Sequence, residues 1–427
     1  MAGKPWGNVA QTSAACFVLG MGAWITVNGL YQELPIIAQS APEGYNIFSY
    51  AAVLVALSNI WPAGFVFARA HLLLSREAKW VKQFDHWTTL LTLGLFGVLS
   101  CAFLALFYDK TILLGGTQRS VPLFVLIFLS GGVDCMTSVL FYPFVAPFPT
   151  LAVTFLIVGE ASTGLLAAAL AAIQVSAPHF SVGAFFGVLA VVMGASTAAY
   201  LWLSNKVPAA KGTLAVNDTP ADVLEPAAPT LHLSRRDMLA FLGYQAALAF
   251  VENGVHAVLL PHAVRSPTYI QWSVHLSFGG AAVCTLAAHF LPLRARSLPG
   301  YAVHGGVAAT ALITIAAAAV QTAWPPLVTS VIVIVCKCLV AYAKTSGFVQ
   351  LKLPHGGADK LQGPPHVEDT LDGERLLPMQ TSKESPHGHI SVDAAYRWGG
   401  IGIQVGSCVG AVLFFVLTVV APVLAQA

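Results

Sequence analysis

Apolar residues run for about 20 positions at a time along most of this chain, and polar residues gather in the connections between the runs. A run of that length crosses the ~30 Å hydrocarbon core of a bilayer as a helix. The pattern predicts helices over 14–36, 48–68, 88–107, 121–142, 151–173 and 181–203, then over 237–260, 270–292, 300–320, 326–349 and 396–424. The first run carries Trp24, Asn28 and Glu33 and has only Lys4 ahead of it, so it reads as a retained helix and not a cleaved signal peptide. The expected fold class is an all-α membrane protein of eleven transmembrane helices, with a six-helix bundle over 1–203 and a five-helix bundle over 237–427. Between them lies a cytosolic linker over 204–236, rich in charge and proline, and a second polar segment of about 353–394 reads as a disordered cytosolic loop. A six-plus-five split around a basic linker is the pattern of carriers whose two bundles rock about a midplane site.

Composition narrows the class further. The chain is 56% hydrophobic and 9% charged, against about a quarter charged in soluble domains. A net charge of +2 gives no reason to invoke nucleic acid. Basic residues are topology signals here. Taken in alternate connections, every Lys and Arg except Lys110, Arg119, Arg265, Lys337 and Lys344 falls on one side. That side is cytosolic by the positive-inside rule, which puts the N-terminus in the cytosol and the C-terminus outside. The sequon Asn217-Asp218-Thr219 then lies in the cytosolic linker and should carry no glycan. Cys16, Cys101, Cys135, Cys284, Cys336, Cys338 and Cys408 all sit in or beside apolar runs and read as small buried residues. Cys336 and Cys338 would point about 200° apart on a helix, so no metal site is expected. There is no phosphate-binding loop, H-E-x-x-H or nucleophile elbow, so no catalytic residue is assigned and the chain reads as a carrier, not an enzyme.

Ionisable and amide groups inside apolar runs are the candidate chemistry, because they are costly in lipid and mark solute paths. In the first helix Trp24, Asn28 and Tyr31 or Gln32 share a face; an amide beside aromatics suits a flat heterocycle, and equally an interhelical hydrogen bond. Glu33, before Pro35, is either a gate residue or a solvated carboxylate near the outer end. Asp134, Thr137 and Ser138 form a polar face that leads to Tyr142 and Pro143, and Glu160 stands among small residues that let another helix approach. Gln245, Glu252 and His256 share a face of the seventh helix, where Glu252 and His256 form a candidate proton-sensitive pair or a plain hydrogen bond; Asn253 is turned away from them. His275 follows Tyr269, Gln271 and Trp272. Lys337 and Lys344, seven apart, need counter-charges from Glu33, Asp134, Glu160 or Glu252, unless Lys344 snorkels to the surface. Gln404 lies in a helix whose Gly402, Gly406 and Gly410 make a close-packing stripe.

Several of these segments together resemble the eukaryotic riboflavin transporter family, solute carrier family 52. The resembling stretches are Gly20-Met21-Gly22-Ala23-Trp24-Ile25-Thr26-Val27-Asn28-Gly29-Leu30, Glu33-Leu34-Pro35, Pro42-Glu43-Gly44-Tyr45, Val133-Asp134-Cys135-Met136-Thr137-Ser138-Val139, Phe141-Tyr142-Pro143-Phe144 and Val158-Gly159-Glu160. In the second half they are Asn253-Gly254-Val255, His275-Leu276, Ala341-Tyr342-Ala343-Lys344 and Ile403-Gln404-Val405-Gly406-Ser407-Cys408-Val409-Gly410-Ala411. The chain departs from the vertebrate pattern at Glu252, where a threonine is usual, in the loop from Pro261 to Pro267, which lacks a cysteine, and in how length is shared between the two linkers; a distant, non-vertebrate member is implied.

The resemblance implies a major-facilitator-like arrangement and uptake of riboflavin at the plasma membrane, with riboflavin as transported substrate and no cofactor. On that reading Asn28, Asn253 and Gln404 meet the uracil-like edge of the flavin, Trp24 or Tyr142 stacks on its ring, and Asp134, Glu160 and Lys344 hold or switch the bundle. Glu33, Thr137 and His275 complete the expected substrate-binding set, with Glu252, His256, Lys337 and Lys344 as coupling or ion-pair residues. Phosphorylated flavins are expected to be poor substrates, because their dianion would enter a site containing several acids. The competing readings are a carrier for another flat heterocycle, such as a nucleoside or nucleobase, and a non-transporting flavin-binding membrane receptor.

Overall fold

The computed structural model describes residues 9–75, 78–145, 148–176, 180–206, 235–292, 297–320, 324–350 and 392–420. The linker expectation over 207–234, the sequon and the loop expectation up to residue 391 lie outside them. The described residues are helical almost throughout. In chain order the long helices are α1 (Val9–Ile37), α2 (Gly44–Leu72), α3 (Trp80–Phe107), α4 (Val121–Val145), α5 (Thr150–Ser176) and α6 (Val182–Ser204). They continue as α7 (Arg236–Val264), α8 (Pro267–Phe290), α9 (Leu298–Ala319), α10 (Pro326–Gln350) and α11, which begins with Val392–Phe415 and ends in a π-helical turn over Val416–Val420.

Ten of these segments are long and apolar enough to cross a membrane, where the hydrophobic pattern predicts eleven. The one outside that set is α8. It is a continuous 24-residue helix, but Gln271, Ser273, His275 and Ser277 dilute its apolar character. Most helices also run past the predicted bounds, because hydrogen bonding continues into flanking residues that the apolar count leaves out.

Local chemistry sets the ends. The Ser181 hydroxyl accepts from Ala184 N at 3.1 Å and Ser297 does the same for Gly300 N at 3.2 Å, each capping the helix that follows. Arg265 closes α7 in a left-handed conformation at φ 58°, and Pro267 opens α8. Pro143 does not break α4, which runs on to Val145. Between α3 and α4, a hairpin of β1 (Ile112–Leu114) and β2 (Thr117–Arg119) turns on Gly115 and Gly116, both at positive φ as a tight two-residue hairpin requires.

The six helices before residue 206 gather around α1, which packs on α5, α6 and α4. In the group after residue 235, α7 packs on α11 and α8 on α10. Glycines let backbones meet in both groups. A Cβ on Gly20 would sit 2.2 Å from the Leu156 carbonyl oxygen of α5, and one on Gly406 would sit 2.0 Å from that of Ala246 on α7. The glycine stripe on α11 is therefore the seam against α7. The two groups meet along α5 with α8, α2 with α11, and α1 with α8.

Candidate functional site

One face of α1 locates the space between the two groups. Ala14 and Trp24 are its exposed positions beyond the first turn, and Phe17, Met21 and Asn28 fill the same stripe half-buried. The stripe then disappears under the other group. Tyr31 stacks on Phe278 of α8 with centroids 5.6 Å apart, and the Gln32 side-chain Oε1 meets His275 Nδ1. The face that touches the second group near one end thus lies open as a wall toward the other.

Two further helices, α5 and α11, repeat that arrangement one turn at a time, and α4 joins them through α5. On α5, the bare face of Gly164 looks at the Phe278 carbonyl of α8, and Glu160 lies one turn nearer the open end. On α11, Cys408 meets Ala56 and Asn59 of α2, and Gln404 lies one turn nearer the open end, half-buried. On α4, Ser138 and Tyr142 are exposed one turn apart, and the Tyr142 hydroxyl donates to Glu160 Oε2 at 2.7 Å. Trp24 is 37% and Tyr142 40% exposed. Trp24, Asn28, Ser138, Tyr142, Glu160 and Gln404 thus lie on the side of these contacts where α1 begins, and they are the candidate walls of a cleft open at that end. At the opposite end Ser49 and Thr418 share a hydrogen bond of 2.9 Å, and Tyr50 meets Phe415 edge to face. Outside that seal lies a polar recess of about 280 Å³ lined by Pro42, Glu43, Asn46, Tyr50, Arg119 and Val419.

The lysines resolve onto one partner. Lys337 Nζ donates to Glu252 Oε1 at 2.8 Å, and Lys344 Nζ to Oε2 of the same carboxylate. Glu252 belongs to a π-helical turn, Val251–His256, whose extra residue per turn widens α7 at this level. Glu252 therefore pairs with α10, and the expected Glu252–His256 partnership does not form: neither ring nitrogen of His256 has a hydrogen-bond partner among the described residues. Lys344 is held by the carboxylate, and its own carbonyl accepts from Gln245 Nε2 at 3.2 Å.

Other candidates sit in the helix contacts around the cleft. The Asn28 amide donates to Thr163 Oγ1 at 2.8 Å, which fixes its orientation at the cleft wall. Asn253 donates to Ser407 Oγ at 2.8 Å, inside the seam between α7 and α11. Asp134 is 0% exposed and accepts from Thr26 Oγ1 at 3.2 Å. Thr137 is buried, with its hydroxyl on the Asp134 carbonyl, so the residue that α4 turns to the cleft is its neighbour Ser138. Glu33 is no surface carboxylate: it is 0% exposed and accepts from Gln174 Nε2 of α5 at 3.4 Å. With Glu33 and Asp134 packed away and Glu252 paired, Glu160 is the acid on the cleft wall. Phe278 had no mark in the sequence, since one phenylalanine in an apolar run looks like any lipid-facing ring.

Residues 9–177 match the family model for solute carrier family 52, riboflavin transporter. A protein named Riboflavin transporter 2 from Salmo salar is 37% identical over 160 residues, 38% of this chain and 33% of that one. Solute carrier family 52, riboflavin transporter, member 3-A from Danio rerio is 30% identical over 224 residues, covering 45% and 48%. The chain thus spans between a third and a half of the length of these curated relatives. A solved structure of a bacterial homolog to the human lysosomal transporter Spinster, inward-facing and occupied, aligns with 98% of this chain and 82% of its own at 14% identity and a TM-score of 0.48. The similarity to riboflavin transporters is therefore found again from α1 into α5, the helices that carry Trp24, Asn28, Tyr142 and Glu160.

Proposed function

We propose that this chain carries riboflavin across the plasma membrane by alternating access, with the flavin held between the six-helix and five-helix groups. The substrate rests on the family match over residues 9–177. The mechanism rests on one observation: the α1 stripe is an open wall as far as Asn28 and a sealed contact from Tyr31 onward. By the positive-inside reading the open end is cytosolic, so this conformation faces inward, with the N-terminus in the cytosol and the C-terminus outside. Crossing of the bilayer by α8 as the eleventh helix is part of the same proposal.

Within the cleft, Trp24 and Tyr142 supply aromatic faces for the isoalloxazine, while Asn28 and Gln404 supply amides for its alternating carbonyls and N–H. Glu160 and Ser138 suit the ribityl hydroxyls. Asn253 and Asp134 act on the substrate through the helices they hold together. The argument from acid count against phosphorylated flavins weakens, because Glu160 faces the cleft nearly alone.

Uptake of radiolabelled riboflavin into cells expressing this chain tests the proposal, with unlabelled lumiflavin, uridine or FMN in excess. Saturable uptake blocked by lumiflavin and not by uridine is expected. Blockade by uridine would move the assignment to a nucleoside carrier. Binding of flavin with no net flux in vesicles would make the chain a receptor.

A further inference from the structure

The Phe278 ring is held on three sides by groups that have no need of a phenylalanine. Tyr31 covers one side as a stacked ring at 5.6 Å and 26°. The Lys337 ammonium lies 4.7 Å from its centroid. His256 meets it at a steep angle, with centroids 6.4 Å and planes 62° apart. A phenol face stacks on any conjugated ring, and an ammonium is attracted to the face of an electron-rich ring or to a ring carbonyl. The imidazole is the anomaly. His256 is 3% exposed, and both its nitrogens lack a hydrogen-bond partner among the described residues. A buried polar group left in that state costs free energy that an apolar residue at the same place would not, so it calls for a reason.

Position supplies one. Phe278 stands at the first layer of the seal, one turn beyond Asn28 along α1. Its carbonyl lies against the bare face of Gly164, and Gly279 lies against Ala168. A solute moving up the cleft wall past Trp24 and Asn28 meets this ring next.

We propose that Tyr31, Lys337 and His256 form a second substrate subsite, filled in this conformation by the Phe278 side chain and taken over by a planar uncharged heterocycle when that ring swings aside. The proposal rests on the flavin-transport reading and deepens it. The incoming ring inherits the Tyr31 face and the Lys337 ammonium. Its polar edge meets His256, whose neutral imidazole offers one donor and one acceptor on diverging nitrogens, so that one of them can meet a carbonyl or an N–H of that edge. Phe278 is then a stand-in that keeps the seam shut while no cargo is present. A solute without a conjugated ring has nothing to exchange for those contacts and cannot open the seal.

Flavin fluorescence titrations of the purified full chain test this. Phe278→Ala removes the competitor, and the flavin Kd should fall about threefold to tenfold, the size of one aromatic face contact. Bound flavin should also become darker, because it then lies on the electron-rich Tyr31 phenol. Adding Tyr31→Phe should return the emission while keeping the affinity, and adding His256→Leu should raise Kd again. Phe278→Leu keeps the bulk without the π face and should move Kd the same way by less, which covers the case in which the alanine variant does not fold. A Kd in Phe278→Ala equal to or above that of the wild type would make Phe278 an ordinary wall residue and sink the subsite alone. A wild-type chain that binds no flavin would remove the transport reading and the subsite together.

Discussion

The two helix groups are joined internally by the same device and charged internally in opposite ways. In the first, Gly20 of α1 and Gly159 of α5 bring backbones into contact; in the second, Gly406 and Gly410 of α11 do so against α7. The first helix of each group thus lies on the fifth through glycine. Their buried carboxylates differ. Glu33, Asp134 and Glu160 are met by an amide, a hydroxyl and a phenol, all neutral. Glu252 is met by two ammonium groups. An acid with neutral partners can be exchanged for its amide with little loss, whereas a buried ion cluster is stable only when complete. The first group should therefore tolerate polar substitution inside, and the second should not.

The sharpest way to break that contrast is to dismantle the cluster. Glu252→Ala leaves two ammonium groups without their carboxylate, and a loss of about 3–5 kcal/mol is expected, read as low surface expression and a depressed melting temperature in detergent. Glu252→Gln combined with Lys337→Met should recover part of that loss; no recovery would mean the cluster matters for something other than charge balance. Next in size are the seams. Gly159→Val and Gly406→Val should each cost about 1–3 kcal/mol or more through overpacking, and similar melting shifts for the two would support a common plan. Asn28→Ala should weaken flavin binding about fivefold, the worth of about one neutral hydrogen bond, at unchanged surface expression. Smallest is Asp134→Asn, where the melting temperature should reflect less than about 1 kcal/mol because the amide still accepts from Thr26. A shift as large as that of Glu252→Ala would erase the difference between the groups.

The helices were legible because a run of about 20 apolar residues has few other uses. The α11 glycine stripe was legible for a similar reason: spacing by four puts Gly402, Gly406 and Gly410 on one face whatever lies beyond it. Two lysines in apolar surroundings announced that acids must be near them. Which acid depends on the packing of α7 against α10, and no local pattern encodes that. A helical wheel puts Thr137 and Ser138 on one polar face without showing which of the two the neighbouring helices cover. The π-helical turn at Val251–His256 was invisible, since one extra residue in a turn leaves no trace in apolar spacing. It also upset the Glu252–His256 pairing that regular helical geometry suggested.

The seal at the far end joins Ser49 to Thr418, Gln32 to His275, Tyr31 to Phe278 and Tyr50 to Phe415. Hydroxyls, an amide, an imidazole and aromatic rings hold the two groups together there, and none of these four contacts pairs opposite charges. Dissolved ions weaken attraction between charges and leave such contacts alone. The rate at which this end opens should accordingly be the same in dilute and in concentrated salt. A cell could then meet large swings in the ionic strength outside it without changing how fast this door turns.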